Sequence, residues 1–181
     1  MLVSGARSQL LIVDVQERLA PAMSAMAAAL SNIDRLARAA RVMGVPISLS
    51  EQYPRGLGST LPPILEACGQ EPVVFSKTEF SCGRDRALSQ RFAGLGRSQI
   101  VICGIEAHVC VLQSAIDLLA AGYDCFVVAD ASASRREQSK EIALRRMECS
   151  GVTLVTAEMV IFEWLERAGT AQFKQLAPLL K

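Results

Sequence analysis

Two kinds of segment alternate along the chain. Short, continuous apolar runs occur at Leu10–Asp14, Val45–Leu49, Pro72–Phe75, Gln99–Cys103, Cys125–Ala129 and Val152–Val155. Unbroken rather than alternating hydrophobicity suits a strand covered on both faces, so each run predicts a strand of a parallel sheet. Between them, stretches rich in Ala, Leu and Arg predict helices over about Met23–Met43, Arg84–Ala93, Val109–Ala121, Arg136–Cys149 and Ala157–Arg167, with a short last helix over Ala171–Leu180. Gly44, Gly122 and Gly151 stand just past three of these helices, where a left-handed C-cap is expected. Repeated strand–helix–strand spacing predicts an α/β fold with three layers, α/β/α, and a mostly parallel sheet.

That architecture selects the residues worth weighing. In a doubly wound sheet, ligands bind outside the carboxyl ends of the strands. Asp14, Lys77, the stretch Gly104–Cys110 and the Pro- and Gly-rich loop Glu51–Pro63 all fall on that face.

Composition narrows the function classes. A chain of 181 residues with 51% hydrophobic and 20% charged residues can close one core, and Met1–Lys181 reads as a single domain rather than a disordered linker. Nineteen basic against eighteen acidic residues leave a net charge of +1, with no field of one sign to gather nucleic acid or an anionic membrane. The apolar runs are too short to cross a bilayer, and Asp14 interrupts the one nearest the N-terminus, where a signal peptide would need continuity. The expectation is a cytoplasmic protein with a small-molecule partner. The single histidine, His108, rules out His-rich metal sites. Six cysteines without a C-x-x-C pair do not read as a disulfide framework; most should be small buried hydrophobes.

Three residues at the sheet edge carry candidate chemistry, each with an ordinary alternative. Asp14 ends the first strand, where a carboxylate is costly to bury without a partner, yet many such aspartates only cap a turn. Lys77 ends the third strand, and alone it would be a snorkelling surface lysine. Cys110 opens a helix behind a loop that starts at Gly104, where backbone N–H groups and the helix dipole are expected to lower a thiol pKa. His108 lies two residues from Cys110, a poor placement for proton abstraction; packing, a loop hydrogen bond or substrate contact suits it better. No G-x-G-x-x-G, P-loop or G-x-S-x-G sequence is present. The charged cluster Arg135, Arg136, Lys140, Arg145 and Arg146, interleaved with Glu137, Glu141 and Glu148, reads as a solvated or intersubunit helix face.

The segments Leu-Ile-Val-Asp14-Val-Gln16, Ser-Lys77-Thr-Glu-Phe80-Ser and Gly104-Ile-Glu-Ala-His-Val-Cys110-Val111, in this order and at these strand ends, resemble the isochorismatase-like cysteine hydrolases from about Ser8 to Leu165. The resemblance implies a six-stranded parallel sheet of order 3-2-1-4-5-6 and an Asp–Lys–Cys triad: Asp14 as general base, Lys77 as orienting cation, Cys110 as nucleophile. It also implies a cis peptide at Ile105–Glu106 and an oxyanion hole from the backbone N–H groups of Glu106 and Cys110. Nicotinamidases of this family hold a metal through an aspartate and two histidines after the second strand. Here Glu51–Gly58 contains no histidine, so no metal and no cofactor are expected. True isochorismatases lack the nucleophilic cysteine that this chain has, and the Glu-Gln-Tyr-Pro loop is similar to that of small isochorismatase-domain hydrolases.

The implied activity is hydrolysis of a small amide- or ester-like substrate through a thioester. Gln16, Tyr53, Phe80 and His108 are the candidates for substrate contact. Two other classes stay open at this point: a non-catalytic α/β binding scaffold, and a thiol redox protein in which Cys82 resolves Cys110. With order 3-2-1-4-5-6, Lys77 starts two strand spacings from Asp14, roughly 10 Å, which its side chain and the sheet twist must close. A homo-oligomer is expected, burying part of the terminal helix (Phe173, Leu176, Leu179, Leu180) and the Tyr53–Leu57 loop.

Overall fold

The structure is a computed structural model that describes residues 1–180; Lys181, the last residue of the expected domain, lies outside the described residues. Along the chain the elements are β1 (Ser8–Val13), α1 (Met26–Met43), β2 (Ile47–Gln52), α2 (Pro54–Leu57), α3 (Pro62–Cys68), β3 (Val74–Lys77), α4 (Arg86–Gly94), β4 (Gln99–Ile105), α5 (Leu112–Ala120), β5 (Asp124–Ala133), α6 (Glu137–Cys149), β6 (Thr153–Val155), α7 (Ala157–Leu165) and α8 (Ala171–Leu176). The six strands form one sheet of order β3-β2-β1-β4-β5-β6, and every pairing is parallel. The expected fold class and strand order are therefore those observed.

Side chains that alternate along each strand build two cores, one on each face. Leu10 and Ile12 of β1, Val101 and Cys103 of β4, and Phe126 and Val128 of β5 pack with residues of α1, α3, α7 and α8. Their neighbours Leu11, Val13, Ile100, Ile102, Cys125 and Val127 pack with α4, α5 and α6. The terminal helix belongs to the first of these cores. Leu176 is buried, and Phe173, Leu179 and Leu180 pack against the same cluster. Within the single chain the helix is thus partly covered by the α1 side, with Phe173, Leu179 and Leu180 still half-buried.

Several boundaries differ from the sequence reading. β2 runs on through Ser50, Glu51 and Gln52, which the pattern assigned to turn and loop. β3 starts two residues later than expected, and it ends at Lys77 as expected. The Pro62-Pro63 pair, read as loop, opens α3, since proline fits the first turn of a helix.

The strand order reverses between β1 and β4, and the switch point lies there. Val13 pairs with Ser50 on one side and with Gly104 on the other. Gly104 has φ +119, and a Cβ at this position would collide with the Val13 backbone, so only glycine lets the two strands approach here. After it, the Ile105–Glu106 peptide is cis, as the resemblance implies.

Candidate active site

Asp14 leaves β1 with φ +51, a left-handed conformation that aspartate tolerates better than most residues. The turn directs its carboxylate into the sheet edge, where it is fully buried. Each oxygen has a donor: Oδ1 accepts from the Ser50 hydroxyl at 2.7 Å, and Oδ2 accepts from Lys77 Nζ at 2.9 Å. The lysine, two strands away, thus spans the separation. Besides Asp14, its ammonium donates to Gln52 Oε1 at 2.6 Å and toward the carbonyls of Glu79 at 3.1 Å and Phe80 at 3.2 Å. Three protons face four acceptors, so the cation is fixed in place. Burial pulls the Lys77 ammonium down, the Asp14 carboxylate beside it pulls it up, and its pKa ends raised.

Cys110 approaches from the other side of the switch point. It lies in a π-helical turn, Ala107–Val111, that leads into α5. The Glu106 carbonyl accepts from the N–H of Val109 at 3.0 Å and of Val111 at 3.3 Å, and the second bond closes the wider turn. Such turns are frequent where a helix must present a functional group. Cys110 is a buried residue, close enough to Asp14 and Lys77 for both charges to act on its thiol, and the side chains of Asp14 and Lys77 have no exposure. The tight hydrogen bonds on the carboxylate remain those of Ser50 and Lys77.

Burial first, and then the Asp14 charge, push the Cys110 thiol well above its ordinary value; Lys77 offsets them only in part. This corrects the expectation of a thiol pKa lowered by the helix start. Desolvation inside the sheet edge exceeds the effect of the dipole. Cys82 is also buried and its pKa is raised, chiefly by burial. Two thiols held protonated make a poor peroxide-sensing pair, since the thiolate is the form that reacts.

The other expected residues fall in different places. Gln16 is fully buried: its amide donates to the carbonyls of Gln52 at 3.0 Å and Gly58 at 2.7 Å, and its oxygen accepts from the Gln52 N–H at 2.8 Å. All of this binds backbone, so Gln16 braces β2 and the Gly58 loop instead of offering a polar group to a substrate. Tyr53 and Phe80 are exposed by 55% and 54%. Tyr53 lines an open groove of about 570 Å³ with Pro54, Arg55, Ser76, Thr78 and Glu79, on the outer side of β3 beside Lys77. His108 is turned toward β5, with Nδ1 at 3.0 Å from Ser134 Oγ. The Glu106 carboxylate accepts from Arg135 Nε at 2.9 Å. Among the described residues, no cluster of three or more His, Cys, Asp or Glu side chains is arranged to hold a metal.

Ser50 and Gln52, the neighbours of Asp14 and Lys77, escaped the sequence reading. Ser48, Ser50 and Gln52 alternate along β2 and are all buried, a period-two polar pattern that could have marked them.

Comparison with known proteins fits this geometry. The chain is 39% identical over 175 residues to isochorismatase domain-containing protein 2A of Mus musculus, covering 96% of this chain and 82% of that protein. It is 34% identical over 179 residues to isochorismatase domain-containing protein 1 of Danio rerio, covering 99% of this chain but spanning only 62% of the relative. Among solved structures, the MAR1 ribonuclease of Caenorhabditis elegans superposes with a TM-score of 0.93 at 32% identity, covering 99% of this chain and 92% of that one. Two proteins named YcaC share the fold with a TM-score of 0.91. That of Pseudomonas aeruginosa, described with covalent acrylamide, is 23% identical and covers 98% of this chain and 91% of that one. That of Escherichia coli, described as an octameric hydrolase of unknown specificity, is 22% identical and covers 99% and 90%. Residues 8–159 match the isochorismatase domain, a span that holds Asp14, Lys77 and Cys110 together with all six strands, and the chain belongs to the isochorismatase family of hydrolases.

Proposed function

We propose that this chain is a cysteine hydrolase for a small amide- or ester-like substrate, with Cys110 as nucleophile, Asp14 as general base and Lys77 as the cation that holds Asp14. The observation that carries this reading is the buried Ser50–Asp14–Lys77 network set beside the Cys110 thiol, on which both charges act. A thiol held protonated at rest must lose its proton as it attacks, and Asp14 is the facing base. The sulfur–carbon bond then forms as the carbonyl π electrons move to oxygen. Backbone N–H groups of Glu106 and Cys110 are the proposed donors to that oxyanion. Collapse expels the amine or alcohol, which takes up the proton from Asp14, and water activated by Asp14 cleaves the thioester. No step needs a metal or cofactor. The near-zero net charge argues against RNA as substrate, since polyanion binding rests on neutralising phosphates.

A panel of short aliphatic amides, carbamoyl compounds and esters tests the reading. Turnover of at least one member, blocked by prior alkylation of Cys110, is the expected result. A panel left untouched by a protein whose Cys110 is also inert would favour a binding scaffold.

Tyr53 and Phe80 are proposed as walls of the substrate entrance. Alanine at either exposed position should change stability by no more than about 0.5 kcal/mol. A stability change that small leaves the folded fraction essentially unchanged, so a drop in kcat/KM of about twofold or more, expected for each, would report on the substrate path. Smaller, equal losses at both would mark them as loop packing.

We also propose a homo-oligomer, with the exposed Tyr53 loop at or near a subunit contact; the octamer described for the Escherichia coli fold relative supports assembly in this architecture. Light scattering at micromolar concentration should give a multiple of 19.5 kDa, and a monomer would contradict it.

A further inference from the structure

The hydrogen bonding around Asp14 extends one residue further than the proposed mechanism uses. The Ser50 hydroxyl has a single proton, which it donates to Asp14 Oδ1 at 2.7 Å, and its oxygen accepts from Cys82 Sγ at 3.5 Å. Cys82 is anchored in turn, since its backbone N–H donates to Ser114 Oγ of α5 at 2.8 Å. Asp14, Ser50 and Cys82 are at most 1% exposed, so solvent is a poor substitute for any of these bonds. The Cys82 thiol proton occupies the Ser50 oxygen from behind and leaves the serine proton directed at Asp14.

We propose that Ser50, with its hydroxyl aimed by Cys82, is a positioning residue for Asp14 that also draws part of the carboxylate charge away from Cys110 and so eases ionisation of that thiol. The inference rests on Asp14 and Cys110 being a working pair. The groups facing Asp14 are Lys77 from β3, Cys82 from the loop that follows it, Cys110 from the π turn, and the uncharged Ser50 from β2. An anion beside a thiol disfavours the thiolate, and a hydrogen bond to that anion weakens its effect. Loss of the serine hydroxyl should therefore make Cys110 harder to ionise, and loss of the Asp14 charge should make it easier.

The test is the rate of Cys110 alkylation by iodoacetamide above about pH 8.5, where free thiolate governs the reaction. Peptide mapping separates Cys110 from the exposed Cys149. Ser50→Ala should slow Cys110 labelling by about tenfold, the effect of one pH unit on a rising limb. Ser50→Thr, which keeps the hydroxyl, should stay near the wild-type rate. Asp14→Asn should speed labelling, and adding Ser50→Ala to it should change nothing more. A folded Ser50→Ala protein that reacts as fast as wild type, while Asp14→Asn reacts faster, overturns the Ser50 role alone. An unchanged rate in Asp14→Asn overturns the Asp14–Cys110 pairing itself. If Ser50→Ala does not fold, Cys82→Ala decides: slower labelling supports the role, and an unchanged rate removes it.

Discussion

Replacing Cys110 with alanine is expected to lower turnover of any substrate by about four to six orders of magnitude, the usual cost of deleting a covalent nucleophile. Asp14 would remain as a base, but without sulfur no thioester can form, and water held beside a buried carboxylate is a poor replacement. Stability should hardly suffer. The substitution removes one sulfur from a buried position in the π turn ahead of α5, and it removes a thiol whose ionisation burial already opposes. The expected change is about 1 kcal/mol or less. Steady-state kinetics beside a denaturation curve separate the two effects. Residual turnover within tenfold of wild type would place the chemistry elsewhere.

The second large effect concerns folding. Lys77→Met should destabilise the protein by about 3–5 kcal/mol, because it leaves the Asp14 carboxylate buried without its cation. Asp14→Asn should cost clearly less. The ammonium would keep the oxygens of Gln52, Glu79 and Phe80, three acceptors for three protons, whereas the orphaned carboxylate would keep Ser50 as its side-chain donor. The pair Asp14→Asn with Lys77→Met should recover most of the loss from Lys77→Met alone, since no buried charge is left unpaired. Urea denaturation of the three variants reads this order directly. Equal costs for the two single variants would mean that the carbonyl cage does not support the cation.

The sheet was legible because its signal is long and redundant: six continuous apolar runs separated by helical stretches admit few parallel arrangements. Asp14, Lys77 and Cys110 stood out as candidates because each ends or follows such a run on the same edge, while their roles as a triad were implied by the family resemblance alone. Other features left weaker traces. Ser50 and Gln52 lie where β2 turns polar, and a polar strand end looks like a loop until burial is known. Gln16 looked like a pocket residue because sequence places it beside Asp14, but the left-handed turn at Asp14 precedes a segment in which Gln16 bonds across to β2. The direction of the Cys110 shift was out of reach for a related reason. Dipole and charge can be read from neighbours in sequence, while desolvation depends on how completely three dimensions close around the sulfur. The π turn needs a bond five residues back, and no local composition distinguishes it from an ordinary first helical turn.

The central claim is that Cys110 forms a covalent acyl intermediate. The most direct measurement is acid quenching during turnover of an active amide or ester, followed by intact mass and peptide mapping. The account predicts a transient gain equal to the acyl fragment, located on the Cys110 peptide, discharged by neutral hydroxylamine and absent from Cys110→Ala. Turnover with no adduct at any quench time, or an adduct on another residue, would contradict it.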